Sequence, residues 1–556
     1  MEVLGNLIAR SPCCRARLRH MENGNMRIAD SGEQGSPASS AQGPQFNLDC
    51  SDLKPARILQ KHKYHSVLER RRGEHPRKKP LRVLKFGGTS VADTACIGRV
   101  ADIIRAELRE SNVVAVISAM SGVTNKLVAA AKASEAGDRK SVGRIFEELR
   151  AQHEAVANSL IHSATTRKRV ARTMKDVFRE GDSLCRGTIL LRELTPRALD
   201  SISSLGERLS APLVAAALAE RGVASRAIDA TELVVTDSSH GAAEPLMDLT
   251  RERCKARIRP LLLQETVPVV TGFIGATAEG VVTTLGRNGS DYSATILGAA
   301  LDADEVVIWS DVDGVLTVDP RLVTGVSTIP EISYREAAEL AYFGAKVLHP
   351  KTLRPVMKSG TPIWIRNTFA PEGRGTKITR SGCPDGGRVK ALTAISDIAM
   401  ITVGGSGIVG ARDVLSRTFK TTAAVQADVL LVLQSSSQND ICFVVPSATA
   451  KRTIEALRHE FAKDLAHEET EHITLNQDVA IVAIVGEKVH DTPGIAARTF
   501  CALSRDNVNI IAIAQGSSES NISFLVPQKD MRAALIATHR EFLNGSHSEV
   551  SSATGV

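Results

Sequence analysis

A lysine followed by two glycines, in residues 85–90, is the first pattern in the chain that could do chemistry. The residues read Lys-Phe-Gly-Gly-Thr-Ser and lie between a strand-like run, LRVLKF, and a helical pattern. Free backbone N–H groups at such a strand-turn-helix junction bind phosphate, and a lysine adds positive charge. The spacing is not that of a Walker-type loop, which needs G-x-x-x-x-G-K-[ST]. Taken alone, the motif also fits a plain glycine-rich turn.

A second glycine turn, residues 286–291, reads Gly-Arg-Asn-Gly-Ser-Asp and again lies between a strand pattern and a helical pattern. Asp291 at the helix start could be an N-cap, or it could hold Lys85 in place. Two anion-binding turns suit a ligand that is charged at both ends. We therefore expect the two turns to converge on one site.

Two further segments carry polar residues beside apolar runs. Residues 310–314 read SDVDG and lead to Arg321. Paired acids of this kind are common turn formers, but a nucleotide site with Mg²⁺ also needs oxygen ligands. Lys346 lies in the otherwise apolar stretch FGAKVLHP. It is either a site residue or a surface lysine whose aliphatic stem is buried. His349 in that stretch precedes a proline and is expected to end or begin a helix rather than to bind a ligand.

The elements that would position these residues alternate between strand and helix patterns from residue 81 to about 368. Such alternation predicts an α/β fold with helices on both faces of a sheet. Residues 138–220 lack a strand signal and predict a helical insertion. Residues 371–390 are rich in Gly, Pro and charge, which predicts a linker.

An internal repeat follows the linker. IAMITVGG at 398–405 aligns with VAIVAIVG at 479–486, and three further pairs share the same offset of 81 residues. Each unit predicts strand, helix, strand, strand, helix, so two similar α+β modules are expected. The predicted organisation is therefore a disordered basic extension (1–80), a catalytic domain (81–370), the linker (371–390) and a tandem regulatory region with a short disordered tail (391–556).

Composition narrows the classes of function. Hydrophobic residues make up 43% of the chain and charged residues 24%, and no apolar run is long enough to cross a bilayer. The net charge of +7 resides in residues 1–80, which hold 15 Lys and Arg against 8 Asp and Glu. The remainder is near neutral, which disfavours nucleic-acid binding. Nine scattered cysteines without metal-ligand spacing indicate reduced thiols in a cytoplasmic location and no protein-bound metal site.

Seven strings, in this order, resemble the aspartokinases of the amino acid kinase family: KFGGTSVAD, SAMSGVTNKL, LGERLS, GFIGAT, TLGRNGSDYSA, SDVDGVLTVDPR and FGAKVLHPKTL. The resemblance covers residues 82 to about 540 and is nearest to the kinase halves of bifunctional aspartokinase–homoserine dehydrogenases. It implies a three-layer αβα catalytic fold followed by two ferredoxin-like ACT modules. No dehydrogenase activity is expected, since the chain ends where that part would begin.

The resemblance also implies roles for individual residues. Lys85 would bind the transferring phosphoryl group, and Asp291 would orient Lys85. Lys346 would reach the nucleotide phosphates. Arg287 would bind the α-carboxylate of the substrate and Glu207 its ammonium group, with Leu316 where some relatives carry an aromatic residue. The phosphate and nucleotide set is Lys85, Gly87, Gly88, Ser90, Ser310, Asp311, Asp313, Arg321 and Lys346. The substrate set is Thr124, Glu207, Arg287 and Ser290. The effector set is Ser406, Gly407, Asp491, Thr492, Pro493, Gly494 and Ile495.

These roles imply an ATP- and Mg²⁺-dependent aspartate kinase that forms 4-phospho-L-aspartate, the first step of lysine, threonine and methionine biosynthesis. Feedback by lysine or threonine, and assembly into a homodimer or larger homo-oligomer through the ACT modules, are also implied, without nucleic acid or membrane partners. A catalytically inactive amino-acid sensor and another kinase of the family, such as acetylglutamate kinase, are the alternatives. The G-x-G-x-x-G at 405–410 matches a dinucleotide fingerprint, but the second repeat lacks its glycines and each module is too short for a Rossmann domain.

Overall fold

The structure, a computed structural model, describes residues 79–345, 348–383, 389–404, 411–434, 440–466, 472–515 and 520–543. The expected extension at 1–80 lies almost entirely outside these ranges, as does the G-x-G-x-x-G at 405–410. The elements up to the linker are, in chain order, β1 (Leu81–Phe86), α1 (Thr94–Glu107), β2 (Asn112–Ile117), α2 (Val123–Ala136), α3 (Arg139–Leu160), α4 (Ala164–Leu191), α5 (Pro196–Ser203), α6 (Leu205–Glu220), β3 (Ser225–Ile228), α7 (Met247–Leu263), β4 (Val267–Thr271), β5 (Ile274–Ala276), β6 (Val282–Thr284), α8 (Gly289–Leu301), β7 (Glu305–Ser310), β8 (Glu331–Ser333), α9 (Tyr334–Tyr342), α10 (Pro350–Ser359), β9 (Ile363–Asn367) and β10 (Thr376–Thr379).

Eight of these strands form one sheet in the order β3-β4-β2-β1-β7-β9-β10-β8. Every pair is parallel except β9 with β10. Because side chains alternate along a strand, Leu84 and Phe86 of β1 enter one apolar cluster and Val83 enters the other. Helices α1–α6 contribute to the first cluster and α7–α10 to the second. The expected three-layer αβα fold is confirmed.

The predicted helical insertion, residues 138–220, forms α3, α4, α5 and α6. The two long helices α3 and α4 pack beside α2 and α6. Their apolar faces follow helical spacing, and the rings of Phe146 and Phe178 meet edge to face with their centroids 6.4 Å apart, a separation typical of aromatic pairs. The structure differs from the sequence prediction in the linker, where β10 pairs with β9 and β8. A four-residue strand is too short for its alternation to be recognised, and its pairing comes from neighbouring strands.

The remaining elements form a second, antiparallel sheet in the order β12-β13-β11-β14-β16-β15, with helices packed against it. They are β11 (Ala391–Gly404), α11 (Ala411–Ala424), β12 (Leu431–Gln434), β13 (Asp440–Pro446), α12 (Ser447–Glu460), α13 (Ala462–Ala466), β14 (His472–Val485), α14 (Ile495–Arg505), β15 (Ala512–Ala514), β16 (Asn521–Pro527) and α15 (Met531–Phe542). The predicted order of strands and helices therefore occurs twice.

The two modules repeat their contacts as well as their elements. Arg417 Nε lies 2.9 Å from Glu460 Oε1, and Arg498 Nε lies 2.8 Å from Glu541 Oε1, 81 residues later. Each guanidinium also lies over the phenylalanine that follows its glutamate. The sequence repeat is therefore a structural repeat. In the described part of the chain, no helix has the length and apolar character needed to cross a bilayer.

Candidate active site

A cavity of about 470 Å³, which we call the central cavity, lies at the carboxyl edge of the parallel sheet. In open α/β sheets this edge collects the loops that follow each strand. The central cavity is lined by Lys85, Gly87, Gly88, Thr89, Ser118, Ala119, Met120, Ser121, Gly122, Thr124, Asn125, Glu207, Phe273, Gly286, Asn288, Gly289, Ser290, Asp291, Ser310 and Asp311. The two glycine turns thus converge on one site, as expected from the sequence.

Helix starts supply backbone donors to this cavity. Helix α2 begins after Gly122 and α8 begins after Asn288, and neither start is capped by a side chain. Both cap residues adopt left-handed backbone conformations, with φ of 78° and 54°. Val123 and Gly289 donate their N–H groups to the carbonyls of Met120 and Gly286. The N–H groups of the next two residues in each helix are therefore the ones available to an anionic ligand.

Lys85 and Asp291 form a buried ion pair within the cavity. Lys85 Nζ lies 2.5 Å from Asp291 Oδ1, and each side chain is about one-tenth exposed. The lysine comes from β1 and the aspartate from the first turn of α8, so the pair joins the two glycine turns. Such a contact fixes the position of the ammonium group, at the side of the cavity where Gly87 and Gly88 lie.

Glu207 adds a buried carboxyl group to the same lining. The residue lies in the first turn of α6 and is 3% exposed. Its Oε1 accepts a hydrogen bond of 3.1 Å from the Ala119 N–H, whereas Oε2 is buried without a partner among the described residues. Burial raises the pKa of Glu207 to about 8 because desolvation disfavours the charged form. A buried oxygen that lacks a donor is suited to a ligand that brings one, such as an ammonium group.

The second glycine turn is supported by Asp200, which is 2% exposed. Its carboxylate accepts hydrogen bonds from the Thr284 N–H and hydroxyl at 3.2 and 2.6 Å and from the Gly241 N–H at 3.0 Å. Gly286 follows two residues after Thr284 with a φ of 80°, and a Cβ there would lie 3.0 Å from the Gly241 carbonyl oxygen. Only glycine satisfies both the positive φ and this close approach.

The predicted site residues do not all reach the central cavity. Ser90 is fully buried and shares a 2.7 Å hydrogen bond with Thr368. Arg287 is exposed on its turn, although Gly286 and Asn288 beside it line the cavity. Asp313 accepts a 2.7 Å hydrogen bond from the Asn367 side chain and is likewise outside the lining. The roles given to these three residues stay predictions.

A second cavity, of about 280 Å³, lies where the first sheet meets the repeat region, and we call it the junction cavity. One wall consists of residues 312 and 314–316, residues 318–322 and Leu340, Gly344 and Ala345. The other wall consists of Leu392, Thr393 and Ala394 of β11 and Leu535 of α15. The segment 310–314 connects the two cavities, since Ser310 and Asp311 line the central one. Arg321 lies at the rim and pairs with Asp319 at 2.6 Å. Lys346 lies outside the described residues.

The predicted effector residues are placed only in part. Asp491 to Ile495 form the turn that starts α14, where Gly494 has a φ of 91°. Ser406 and Gly407 lie outside the described residues. His349 is the N-cap of α10 and its Nδ1 accepts from the Lys351 N–H at 3.2 Å, as expected for a helix-end histidine.

No group of three or more His, Cys, Asp or Glu that could hold a metal ion occurs among the residues that the structure describes. Mg²⁺ in phosphoryl-transfer sites needs only one or two carboxylates because substrate phosphates and water supply its other ligands. Asp311, at the edge of the central cavity with its Oδ1 3.1 Å from Ser310 Oγ, fits such an ion that arrives with a nucleotide.

The sequence did not single out four residues that the structure assigns to the site: Asp200, Asn125, Phe273 and Asn288. The last three line the cavity and lie inside strings already noted, SAMSGVTNKL, GFIGAT and TLGRNGSDYSA. Asp200 has no local signal, because the partners of its side chain are 40 to 84 residues away in the chain.

Comparison with known proteins agrees with this arrangement. The amino acid kinase family matches residues 80–367, and the ACT domain matches residues 401–461 and 482–542. Aspartokinase 1 of Arabidopsis thaliana is 31% identical over 473 residues, which cover 84% of this chain and 81% of that protein. The bifunctional aspartokinase/homoserine dehydrogenase of Haemophilus influenzae is 34% identical over 468 residues, 84% of this chain and 57% of that protein. The chain therefore spans about half the length of the bifunctional relatives that it matches.

Solved structures of aspartokinases also match this chain. E. coli aspartokinase III in complex with aspartate and ADP, described as the R-state, matches with 30% identity and a TM-score of 0.68 over 83% of this chain and 99% of that one. The same enzyme with lysine and aspartate, described as the T-state, matches with 29% identity and a TM-score of 0.69 over the same shares. The two glycine turns, the Lys85–Asp291 pair and the repeated module of this chain agree with these matches. The chain therefore belongs to the aspartokinases of the amino acid kinase family.

Proposed function

We propose that this protein is an aspartate kinase that converts ATP and L-aspartate into ADP and 4-phospho-L-aspartate. The observation that carries the proposal is the central cavity, in which a lysine–aspartate pair and an unpartnered buried glutamate face one space. A triphosphate end and an ammonium end can both be satisfied there. The match to an aspartokinase that binds aspartate and ADP supports the choice of substrates.

The chemistry follows from charge and position. A side-chain carboxylate oxygen of aspartate attacks the γ-phosphorus, a new oxygen–phosphorus bond forms, and the bond to the bridging oxygen breaks so that its electron pair leaves with ADP. No proton has to be moved, because the attacking carboxylate is already ionised at neutral pH. Lys85 neutralises charge on the transferring group, and Asp291 keeps the lysine in line. Asp311 would hold a Mg²⁺ ion that arrives with the nucleotide, and that ion would supply further neutralisation of phosphate charge.

Substrate selection rests on Glu207 and the second glycine turn. Glu207 Oε2 accepts from the substrate ammonium, while the N–H groups at the start of α8 and the Arg287 side chain bind its α-carboxylate. Thr124 and Ser290 line the space between them. These groups bind the α-carbon end of the substrate, so the separation between them and the γ-phosphate held at Lys85 selects the length of the substrate side chain.

The nucleotide extends from the Gly87–Gly88 turn along residues 310–314 toward the junction cavity. Leu316 and the aliphatic part of Arg321 contact the base there, and Lys346 reaches the phosphates. The repeat modules bind an amino-acid end product, lysine or threonine, and a complex of E. coli aspartokinase III with lysine supports this. An oligomer formed through these modules, and a cytoplasmic location, stay predictions, as do the domain limits at residues 80, 370 and 390.

The deciding experiment measures ADP release with each of four acceptors: L-aspartate, L-glutamate, N-acetylglutamate and uridine monophosphate. We expect turnover with L-aspartate alone, with trapping by hydroxylamine to identify the acyl phosphate. Turnover with N-acetylglutamate in place of aspartate would assign the chain to another kinase activity of the family. Absence of turnover with all four acceptors, although ATP binds, would favour an inactive sensor.

A further inference from the structure

Glu336 is a fully buried carboxylate that joins the catalytic and repeat regions. It lies in the first turn of α9 and closes a capping box with Ser333, whose N–H donates to Oε2 at 2.7 Å. Lys390 Nζ, just before β11, lies 3.0 Å from the same oxygen. The Glu487 N–H, just after β14, donates to Oε1 at 2.6 Å. One side chain therefore ties three separate segments.

The rest of α9 is held against the repeat region by further polar contacts. The Asn521 side-chain amide donates to Glu339 Oε2. The Tyr342 hydroxyl donates to the Leu430 carbonyl at 3.0 Å, and the Thr393 hydroxyl donates to the Phe343 carbonyl at 2.8 Å. These partners belong to both modules, so α9 cannot move without a response from the repeat region.

At one end of this connection lies the turn at residues 486–494, which contains four of the five predicted effector residues of the second module; the fifth, Ile495, begins α14. The carbonyl of Lys488 accepts from the Asp491 N–H, the Thr492 N–H and the Thr492 hydroxyl. The Gly486 N–H donates to the Ser520 carbonyl. Such a cross-linked turn moves as one body, and Glu487 within it is bonded to Glu336.

At the other end lies the nucleotide side of the catalytic region. Helix α9 ends at Tyr342. Gly344 and Ala345, which follow it closely, line the junction cavity together with Leu316 and Arg321. Gly344 has a φ of 92°, so the direction in which the chain leaves α9 depends on how that helix is held.

We propose that Glu336 is a positioning residue that couples the 486–494 turn to nucleotide binding. The inference rests on the proposed kinase function and names the route by which an effector changes it. When the turn rearranges, the contacts of Glu336 with Lys390 and with the Glu487 N–H change, α9 shifts, and the Gly344–Ala345 wall of the junction cavity moves against the nucleotide. An effector acts in this way only if it binds the two arrangements with different affinity.

The test compares Glu336→Gln with the wild type, each as the full chain. The KM for ATP is measured with saturating aspartate, with and without L-lysine and, separately, L-threonine, and the ratio of the two KM values gives the coupling. Coupling between two sites is typically about 5- to 150-fold. We expect the ratio to fall at least fivefold toward one in Glu336→Gln, because a neutral amide cannot pair with Lys390 and also accept from both N–H groups.

Glu331→Gln is the matched control, since the Glu331 carboxylate accepts a hydrogen bond from the Thr379 hydroxyl within the first sheet. Lys390→Gln is the second variant, for use if Glu336→Gln does not fold. We expect Lys390→Gln to lower the ratio of the two KM values too. A lower melting temperature with an unchanged ratio would show a purely structural role and overturn the inference. An ATP KM that neither amino acid changes in the wild type would overturn it as well. If the wild type does not turn over aspartate, the proposed function fails instead, and calorimetric ADP affinity with and without each amino acid then decides the coupling.

Discussion

Glu207 gives the sharpest prediction, because its burial and its proposed role make opposite demands on its charge. Burial raises the pKa of Glu207 from its ordinary 4.5 to about 8, whereas binding of a substrate ammonium needs the carboxylate. At about 1.36 kcal/mol per pH unit, holding this carboxylate ionised in the empty site costs about 5 kcal/mol. A bound ammonium group offsets part of that cost.

The effect on stability has a definite sign. Below pH 4.5 the side chain is protonated in both the folded and the unfolded state, so it contributes no pH dependence. Between pH 4.5 and 8 the folded state keeps a proton that the unfolded state has lost, and the free energy of unfolding therefore falls as pH rises. Above pH 8 both states are ionised and the loss is complete. In Glu207→Gln this dependence is absent, and its stability relative to the wild type rises by about 5 kcal/mol between pH 4.5 and 8.

The effect on catalysis is measured by kcat/KM for aspartate from pH 6 to 9. For the wild type we expect a rise with pH that levels off near 8, because kcat/KM reports the free enzyme. In Glu207→Gln the rise disappears, and at pH 9 the value is lower by about ten- to a hundredfold, as for loss of a charged hydrogen bond.

Glu220→Gln is the matched control, since Glu220 ends the same helix and accepts an exposed hydrogen bond from the Ser163 N–H. It should keep the wild-type profile. A rise through pH 8 that persists unchanged in Glu207→Gln would refute the assignment of that ionisation, and equal pH dependence of unfolding in both proteins would refute the burial argument.

Three further predictions follow from the same cavity. Lys85→Ala lowers kcat by about 10²- to 10³-fold, and it lowers the melting temperature because Asp291 stays buried without its cation. The double variant Lys85→Met with Asp291→Asn restores the melting temperature but not kcat. Recovered turnover in that double variant would exclude the lysine from the mechanism. Asp200→Asn turns an amide toward backbone donors, costs about 1–3 kcal/mol and raises the KM for aspartate, as chemical denaturation and initial rates will show. Gly286→Ala costs about 1–2 kcal/mol from its positive φ and also raises that KM, whereas an unchanged KM would mean that the turn does not contact the amino acid.

Much of the fold was predictable because its signals are local. Hydrophobic periodicity along the chain predicted the strands that end near Lys85 and Ser310 and the helical insertion. Residue identities at a constant offset of 81 predicted the repeat. The four-residue strand β10 was missed, since its pairing depends on β8 and β9 rather than on its own pattern.

The site was predictable where each strand leads directly into a ligand-binding turn. Sequence motifs named Lys85, Asp291 and Glu207, and the structure brings these three residues to one cavity. The same motifs also named Ser90 and Asp313, whose hydrogen bonds in the structure go to Thr368 and Asn367. A motif fixes which residue is present, but the direction of its side chain depends on neighbours far away in the chain.

The sequence by itself determined the family, the order of the elements and the types of residue that meet the ligand, because these depend on local patterns and on motifs kept in order. Only the tertiary structure decided that Glu207 keeps one oxygen unpartnered, that Asp200 supports the second turn, and that Glu336 ties α9 to both flanks of the repeat region. Each of these features depends on burial and on contacts across 40 to 151 residues of chain. Desolvation and hydrogen bonding act through space, so no pattern along the chain records them.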